Sequence, residues 1–408
     1  MSQQDIVVLG AGIVGKAAAL ALARQGLRVI HIAPDLGVNS LHAQTIPNEN
    51  TWDSRIYAIS SSSQKLLNEL QVWDAISPER IQPVRDMRVF GDSGEHEDAI
   101  HFSAFQGTVP QLSWIVESQQ IEAALDLASR FQTNLERIAD EVTAFQNTPT
   151  GISVETASGK HYSAKLMIAA DGANSKVRQQ LGIETSVDHY EQTAVVANFK
   201  CTQAHLETAF QWFLSKGDIL ALLPLPGRKL SMVWSTTPEH AEKLLKLAEQ
   251  DPKGFCESVQ SSANGEVFNH LGELDLMAAP HSFPLRRIWA KELIGPSEDP
   301  HIVLVGDAAH AMHPLAGQGL NLGLRDIAIL QQILKERESF RSVNDRVLLR
   351  RYERARQGDI QALLMTTHHL QKLFHHPKDS TKKLRNLGMK LLNRSAFIKR
   401  QLIQKALG

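Results

Sequence analysis

The residues with the clearest chemical potential lie between His301 and Asp326, where a carboxylate, imidazoles and a glycine-rich turn follow one another. The apolar run 302–305 is bounded by Gly306 and Asp307, a pattern typical of a buried strand. The carboxylate of Asp307 could accept hydrogen bonds from the hydroxyl groups of a sugar alcohol. The stretch therefore predicts a site that holds a hydroxyl-rich group at the end of a strand.

A glycine-rich turn comes next and leads into a predicted helix. The turn contains Pro314, Gly317 and Gly319, and apolar residues at helical spacing begin at Leu320. Because the first N–H groups of a helix have no partner inside it, the helix start up to Asn321 would favour negative charge. This predicts a contact with a phosphate or an electron-rich ring.

His310 and His313 lie in the same loop, and the pKa of an imidazole suits a general acid or base. Pro314 could fix the backbone against the face of a bound ring. Histidines beside a glycine-rich turn often serve only as structural hydrogen-bonding groups, so both roles stay open. The sequence shows no metal-ligand spacing, and we expect no metal site.

A second glycine motif stands near the N-terminus. Residues 6–9 are apolar, and Gly10, Gly12 and Gly15 follow with the spacing G-x-G-x-x-G. Gly10 permits a tight turn, Gly12 lets the backbone approach a pyrophosphate, and Gly15 lets the helix pack closely on the strand. With a further strand at 27–32, the motif predicts a βαβ dinucleotide-binding unit.

Two more segments contain candidate cofactor contacts. Asp171 and Gly172 end the apolar run 167–170 in a turn. The segment 51–60 has the sequence TWDSRIYAIS, and the guanidinium of its Arg55 could bind a pyrophosphate bidentately. An ordinary surface arginine is the alternative for Arg55.

These motifs, in this order and at these separations, resemble the FAD-dependent aromatic hydroxylases of the para-hydroxybenzoate hydroxylase fold, and most closely the ubiquinone-biosynthesis hydroxylases. The 51–60 segment is similar to the D-x-R-x-x-A-L-S pattern of that family. The resemblance implies FAD as cofactor and NAD(P)H and O₂ as co-substrates. It also implies that the reduced flavin forms a hydroperoxide with O₂, whose distal oxygen is transferred to a phenol ring.

The chain departs from the family pattern at two places. Ala33 ends the second strand where the family has a glutamate that binds the adenosine ribose, so Asp35, water or backbone would take over that contact. The element 114–120 is similar to the V-V-E-N-R element that touches FAD, but Ser118 and Gln119 replace its Asn and Arg. Gln119 is therefore the expected contact there.

The predicted fold class is α/β: a Rossmann-like FAD-binding domain, an inserted β-sheet substrate domain and a C-terminal helical tail. The expected bounds are 1–75, 110–185 and 285–340 for the FAD-binding domain, 76–109 and 186–284 for the sheet domain, and 341–408 for the helices. The sheet would cover the flavin ring. Its aromatic residues either line a substrate pocket or belong to an ordinary core: Phe210, Trp212, Phe213 and Trp234.

The 408 residues have 43% hydrophobic content and a net charge of −1, as in an ordinary globular protein, and this balance argues against a nucleic-acid partner. Two cysteines fit a reducing compartment. The start lacks a basic segment typical of a signal peptide, and no apolar run is long enough to span a membrane. We therefore expect a cytoplasmic protein.

Residues 380–408 hold eight Lys and Arg and no Asp or Glu, interleaved with apolar residues. Such a basic amphipathic tail could lie on the anionic inner face of a membrane, where each nearby basic residue contributes about 1 kcal/mol. A solvated helix docked on the protein, or on a ubiquinone-biosynthesis complex, is the alternative.

The leading hypothesis is hydroxylation of a polyprenylated phenol in ubiquinone biosynthesis. A hydroxylase of a soluble small aromatic acid would share the motifs but not need the basic tail. A non-catalytic flavoprotein scaffold of a biosynthetic complex would bind FAD without consuming O₂.

Overall fold

The computed structural model describes residues 4–36, 52–91, 99–214, 217–263, 266–312, 317–375, 393 and 395–407. The strands of this part of the chain form sheets of eight, nine and three strands. The α/β fold class is confirmed, as are an inserted sheet and C-terminal helices. The domain bounds stay a prediction.

The eight-stranded sheet has a parallel centre with β1 flanked by β11 and β2. Its strands are β1 (Gln4–Leu9), β2 (Val29–Ala33), β8 (Leu135–Ala139), β9 (Val142–Thr148), β10 (Gly151–Thr156), β11 (His161–Ala169), β18 (Ile294–Gly295) and β19 (Ile302–Leu304). The central strands are nearly continuous apolar runs because helices or other elements cover both faces of a parallel sheet. The carboxyl ends of β1, β11 and β19 lie side by side, which brings the glycine motif, Asp171 and Asp307 to one edge.

The nine-stranded sheet is largely antiparallel. Its strands are β5 (Asp86–Phe90), β6 (Ile100–Ser103), β12 (Thr185–Cys201), β13 (Thr208–Phe213), β14 (Ile219–Leu225), β15 (Lys229–Thr236), β16 (Leu274–Leu276), β17 (His281–Ala290) and β20 (His310–Ala311). A small third sheet joins β3 (Ile56–Ile59), β7 (Ser113–Glu117) and β4 (Ile81–Val84). An apolar cluster packs this small sheet on β13 and β14, so the small sheet is docked against the nine-stranded sheet.

The helices are α1 (Ile13–Ala23), α2 (Ser61–Glu69), α3 (Ala104–Gly107), α4 (Ser118–Arg130), α5 (Lys176–Gln180), α6 (Pro238–Gln250), α7 (Pro252–Ser262), α8 (Glu266–Leu271), α9 (Gln318–Lys335), α10 (Arg346–His375) and α11 (Ala396–Leu407). Short 3₁₀ turns cover Trp73–Ala75, Pro78–Arg80 and Gly306–Ala308. None of the helices in the described ranges combines the length and apolar content needed to cross a bilayer.

The two faces of the nine-stranded sheet have different neighbours. Phe210, Trp212 and Trp234 are buried in one core with residues of α6 and α7. Phe213 belongs to a separate small cluster with Val89. The structure therefore favours the alternative of an ordinary core for these four aromatic residues.

A buried charge network joins α9, α10 and the loop after β19. Asp326 is 0% exposed, and its Oδ1 accepts a hydrogen bond from Nε of Arg356 at 2.7 Å. Its Oδ2 accepts from the backbone N–H of Gly306 at 2.9 Å and from Nε2 of His310 at 2.7 Å. The hydroxyl of Tyr352 donates to the carbonyl of Leu304 at 3.1 Å on the same side.

Replacement of Arg356 by Met tests how much this network stabilises the fold. Removing one partner of a buried ion pair leaves an uncompensated charge, so we expect the free energy of unfolding to fall by about 3–5 kcal/mol. Urea unfolding followed by circular dichroism measures the change. The matched control is Arg351→Met on the same helix, whose side chain is 42% exposed in its ion pair with Glu338 and where we expect little change. Equal unfolding midpoints for the two variants would contradict a stabilising role for Arg356.

Candidate active site

The glycine turn after β1 has the geometry of a nucleotide cradle. Gly10 has φ +125°, and a Cβ there would lie 2.1 Å from the carbonyl oxygen of Ala170. A Cβ at Gly15 would lie 2.3 Å from the carbonyl oxygen of Gly10. A Cβ at Gly12 would meet no protein atom within 4 Å, so this glycine faces open space. Gly10 and Gly15 thus serve chain packing, while Gly12 borders the space above the turn.

The N-terminus of α1 opens onto this space. Gly12 is the N-cap residue, no side chain caps the helix, and its first turn has no acidic residue. The N–H groups of that turn are therefore available to an anion, as a pyrophosphate would require.

His31 of β2 forms a hydrogen bond to the glycine turn from the protein interior. It is 2% exposed, and its Nε2 donates to the carbonyl oxygen of Gly10 at 2.8 Å. Burial lowers the pKa of His31 to about 4, and the nearby charges of Arg137 and Lys16 act in the same direction. The imidazole is therefore neutral near pH 7, with its proton on the nitrogen that faces Gly10.

Asp307 lies three residues beyond the end of β19. It is exposed to solvent, yet the protein around it raises its pKa, against the lowering effects of His310, Arg55 and Arg286. Tyr57 feels the charges of Arg55 and Asp307. Burial raises the pKa of Tyr57, the charge of Arg55 lowers it, and the charge of Asp307 raises it. The carboxylate of Asp307 is accessible from solvent, so it can accept hydrogen bonds from the hydroxyl groups of a ligand.

The start of α9 forms another part of this region. Gly317 is the N-cap with φ +63°, and the helix has no side-chain cap and no acidic residue in its first turn. Leu320 is half-buried, and a Cβ at Gly319 would meet no protein atom within 4 Å. The side chain of Asn321 is committed to the protein. Its Nδ2 donates to the carbonyl oxygen of Ala58 at 2.7 Å, and its Oδ1 accepts from the N–H of Ser60 at 2.9 Å.

Asn321 therefore ties the segment after Arg55 to the helix start. The N–H groups left available to a ligand are those of residues 317–320, at the positive end of an 18-residue helix.

The two histidine candidates have different standing. His310 is 2% exposed and donates to the buried Asp326, which favours the structural alternative over acid–base catalysis. His313 and Pro314 lie outside the described residues. The catalytic role of all three stays a prediction.

The turn after β11 closes the same edge of the sheet. Asp171 accepts at Oδ2 from the N–H of Val177 at 3.2 Å, and its buried Oδ1 has no partner among the described residues. Gly172 has φ +82° with open space around the position of a Cβ. Arg178 donates to the carbonyl oxygen of Ala308 at 2.7 Å, which fixes this turn against the loop of Asp307.

The two departures from the family pattern lie near this edge. Asp35 is exposed, two residues beyond the end of β2. The backbone N–H of Gln119 donates to Oδ2 of Asp53 at 3.3 Å, and Gln119 lines a cavity beside the 52–54 segment. The hydroxyl of Ser118 donates to Glu122 at 2.9 Å.

The buried polar residues that escaped the sequence analysis include His31, Arg178 and Arg356. A histidine within an otherwise apolar strand is the one local signal, because such a group must find a hydrogen-bonding partner when buried. The two arginines have partners far along the chain, so their environment could not be inferred from neighbouring residues.

The residues of this region fit FAD. Gly12 leaves room for a pyrophosphate at an uncapped helix end, and Asp307 offers a carboxylate to ribityl hydroxyls. The start of α9 offers N–H donors to the electron-rich edge of a flavin ring. The unpartnered Oδ1 of Asp171 is a further acceptor at the same edge.

Comparison with known proteins gives the same picture. Residues 3–367 match the family described as FAD binding domain. The chain is 31% identical to the 3-demethoxyubiquinol 3-hydroxylase of Escherichia coli, over 99% of this chain and 98% of that protein. It is 30% identical to the ubiquinone hydroxylase UbiL of Rhodospirillum rubrum, over 99% of this chain and 89% of that protein.

Solved structures show the same fold at low sequence identity. The p-nitrophenol 4-monooxygenase PnpA of Pseudomonas putida has a TM-score of 0.78 at 18% identity, covering 100% of this chain and 98% of its own. HpxO of Klebsiella pneumoniae, crystallised with FAD and uric acid, has a TM-score of 0.73 at 17% identity, covering 98% and 97%. The chain belongs to the ubiquinone-biosynthesis hydroxylase family of FAD-dependent aromatic monooxygenases.

Proposed function

We propose that this protein hydroxylates the ring of a polyprenylated phenol, an intermediate of ubiquinone biosynthesis. The observation that carries the proposal is the full-length likeness to hydroxylases whose names specify ubiquinone intermediates, at 31% and 30% identity. The alternatives, a hydroxylase of small aromatic acids or a scaffold without activity, have no comparable support.

The proposed cofactor contacts follow from the geometry. The N–H groups at the start of α1, beside Gly12, bind the pyrophosphate, and Arg55 adds a positive charge. Asp307 accepts hydrogen bonds from the ribityl chain. The helix start at Gly317 stabilises negative charge on the reduced ring. Bound FAD supplies the oxygen-transfer chemistry with NAD(P)H and O₂.

The chain itself positions the ring and excludes water. An apolar cluster between the small sheet and the large sheet includes Ile56, Ala58, Met87 and Leu223. Such a wall keeps water from reactive groups on a flavin. His310 is proposed as a positioning residue, since its Nε2 bond to Asp326 fixes the end of the loop that carries Asp307, whose start is held by the bond from the N–H of Gly306 to Asp326.

We also propose that α3 and α11 form a surface that lies on an anionic membrane. Lys399 and Ile403, one turn apart on α11, are buried and face the protein. Nζ of Lys399 donates to the carbonyl oxygen of His101 at 3.2 Å. A side-chain carbon of Ile403 lies 2.8 Å from the position that a Cβ would occupy on Gly107 of α3. The other side of the helix leaves large apolar side chains exposed. They are Phe397 at 73%, Ile398 at 45% and Leu402 at 41%, and α3 adds Phe105 at 91%.

These four residues are here called the apolar patch, and Phe397, Ile398 and Leu402 belong to the basic stretch 380–408. Apolar side chains that enter the headgroup region together with basic residues are the two components of interfacial binding.

Gly12→Ala and Gly10→Ala form a matched test of the cofactor site. A methyl group at Gly12 meets no protein atom but enters the proposed pyrophosphate space, so we expect much weaker FAD binding with unchanged unfolding in urea. Gly10→Ala should instead destabilise the apoprotein, because φ is +125° and the Cβ would collide with Ala170. Fluorescence titration with FAD and urea unfolding separate the two effects. Normal FAD affinity in Gly12→Ala would contradict the assignment.

Turnover with a prenylated phenol tests the substrate. FAD-loaded protein should oxidise NAD(P)H faster when a short-chain 2-prenylphenol is added, and mass spectrometry should find one oxygen from isotopically labelled O₂ in the product. 4-Hydroxybenzoate is the comparison substrate. Faster coupled turnover of the acid would favour the small-aromatic alternative, and FAD binding without any O₂ consumption would favour the scaffold.

Vesicle binding tests the apolar patch. Phe397→Ser should weaken binding to vesicles with anionic lipid about tenfold or more, because a large side chain no longer enters the membrane. Phe340→Ser is the matched control, since Phe340 is 79% exposed but lies outside the patch. Co-sedimentation measures both, with neutral vesicles for comparison. Equal losses in the two variants, or no binding by the unaltered protein, would contradict the proposal.

A further inference from the structure

A cavity of about 210 Å³ lies where the 52–54 segment meets the edge of the nine-stranded sheet. Trp52 and Asp53 line it from the nucleotide-binding side, and Asn198, Ala278 and His281 line it from the sheet. A protein cavity of about 150 Å³ is enough to bind benzene. This cavity therefore has room for a single substituted ring.

Asn198 contributes to this cavity lining a side chain whose buried oxygen lacks a partner among the described residues. The residue is 4% exposed, and its Nδ2 donates to the carbonyl oxygen of Asp53 at 2.9 Å, which fixes the plane of the carboxamide. Its buried Oδ1 accepts no hydrogen bond from any described residue. An unsatisfied buried acceptor costs about 1–3 kcal/mol, so a ligand that donates to it offsets part of that cost.

The position of Asn198 on β12 explains why it faces this cavity. Its neighbours Ala197 and Phe199 are buried in the core on the opposite face of the sheet, with α6 and α7. Because side chains alternate along a strand, Asn198 points toward the 52–54 segment. Ser231 is its directly paired neighbour on β15, and the Ser231 hydroxyl also lacks a partner but does not line the cavity.

Asp53 sets the charge of the cavity. Its Oδ1 accepts from the N–H of Arg55 at 2.9 Å and its Oδ2 from the N–H of Gln119 at 3.3 Å. None of the described residues that line the cavity is a Lys or Arg. The nearest cations contact the Trp52 ring instead, with Arg80 at 4.3 Å and Lys229 at 4.8 Å from its centroid.

Arg80 is moreover paired with the buried Glu117, at 3.0 Å. A negatively charged ring would thus meet a carboxylate in the cavity, without a lining Lys or Arg to balance it.

We propose that this cavity binds one uncharged six-membered ring whose O–H or N–H group donates to Oδ1 of Asn198, and that Asp53 disfavours rings with a carboxylate. The proposal rests on the proposed function, because the phenol of its substrate has this chemistry. The carboxamide-bearing ring of NAD(P)H is also an uncharged six-membered ring with an N–H donor. In either case the cavity selects against aromatic acids.

Matched ligand pairs test the proposal on the oxidised, FAD-loaded protein. The pairs are 2-methoxyphenol with 4-hydroxybenzoate, and nicotinamide with nicotinate, and binding is read from tryptophan fluorescence and flavin absorbance without turnover. We expect the uncharged member of at least one pair to bind about tenfold more tightly than its acid. Tighter binding of the phenol identifies a substrate subsite, and tighter binding of nicotinamide identifies a subsite for the reductant.

Variants connect this preference to the two residues. Asn198→Leu should weaken the preferred ligand about tenfold, as expected for loss of one hydrogen bond. Asp53→Asn should reduce the difference in affinity between the uncharged ring and the corresponding acid. Ala278→Phe should block binding by filling the cavity. This variant tests the same site independently if Asn198→Leu folds poorly. Ser231→Ala is the control and should bind like the unaltered protein.

Three results would overturn the proposal: tighter binding of both acids, no binding of either uncharged ring, or unchanged affinity in both Asn198→Leu and Ala278→Phe. Each can occur in a protein that still hydroxylates a prenylated phenol. Failure of the cavity assignment is therefore distinguishable from failure of the proposed function.

Discussion

The carboxylate of Asp326 is the group on which the arrangement of the active site depends. A charge at 0% exposure is tolerated only when hydrogen bonds and opposite charges compensate its loss of hydration. Burial acts to raise its pKa, but His310, Arg356 and the N–H of Gly306 together hold the pKa below its usual value. Because Gly306 directly precedes Asp307, the same bonds that satisfy the buried charge also help to fix the position of the solvent-exposed Asp307.

The same arrangement recurs at the other turns of this sheet edge. His31 donates to the carbonyl of Gly10, and Arg178 donates to the carbonyl of Ala308. In each case a buried polar side chain fixes a turn from inside the protein. The N–H groups and side chains on the outer side of the turn then remain available to a cofactor. A rigid set of donors needs little reorganisation when the ligand binds, which is how a protein stabilises charge on a flavin.

The parts of the site that are local in sequence were predictable, and the parts that depend on distant partners were not. The strand, turn and helix around Gly12 follow from a short motif, because glycine spacing and apolar runs encode them directly. His310 was recognised as a candidate, but its chemistry is set by Asp326 and Arg356, and Arg356 lies 30 residues beyond Asp326. The aromatic residues of the sheet were ambiguous for a similar reason: alternation shows that a strand has two faces but not which face meets the helices.

Asn198 shows what such long-range placement adds to function. Its Nδ2 bonds to the backbone of Asp53, so one side chain of the large sheet both docks on the nucleotide-binding part and orients an unpartnered oxygen at the junction. A hydrophobic residue at this place would pack well but would not distinguish a phenol from an alkane. A lysine would attract aromatic acids, the substrate class that the proposed cavity disfavours. An acceptor beside a carboxylate favours neutral donors, and the proposed prenylated phenol is a donor of this kind.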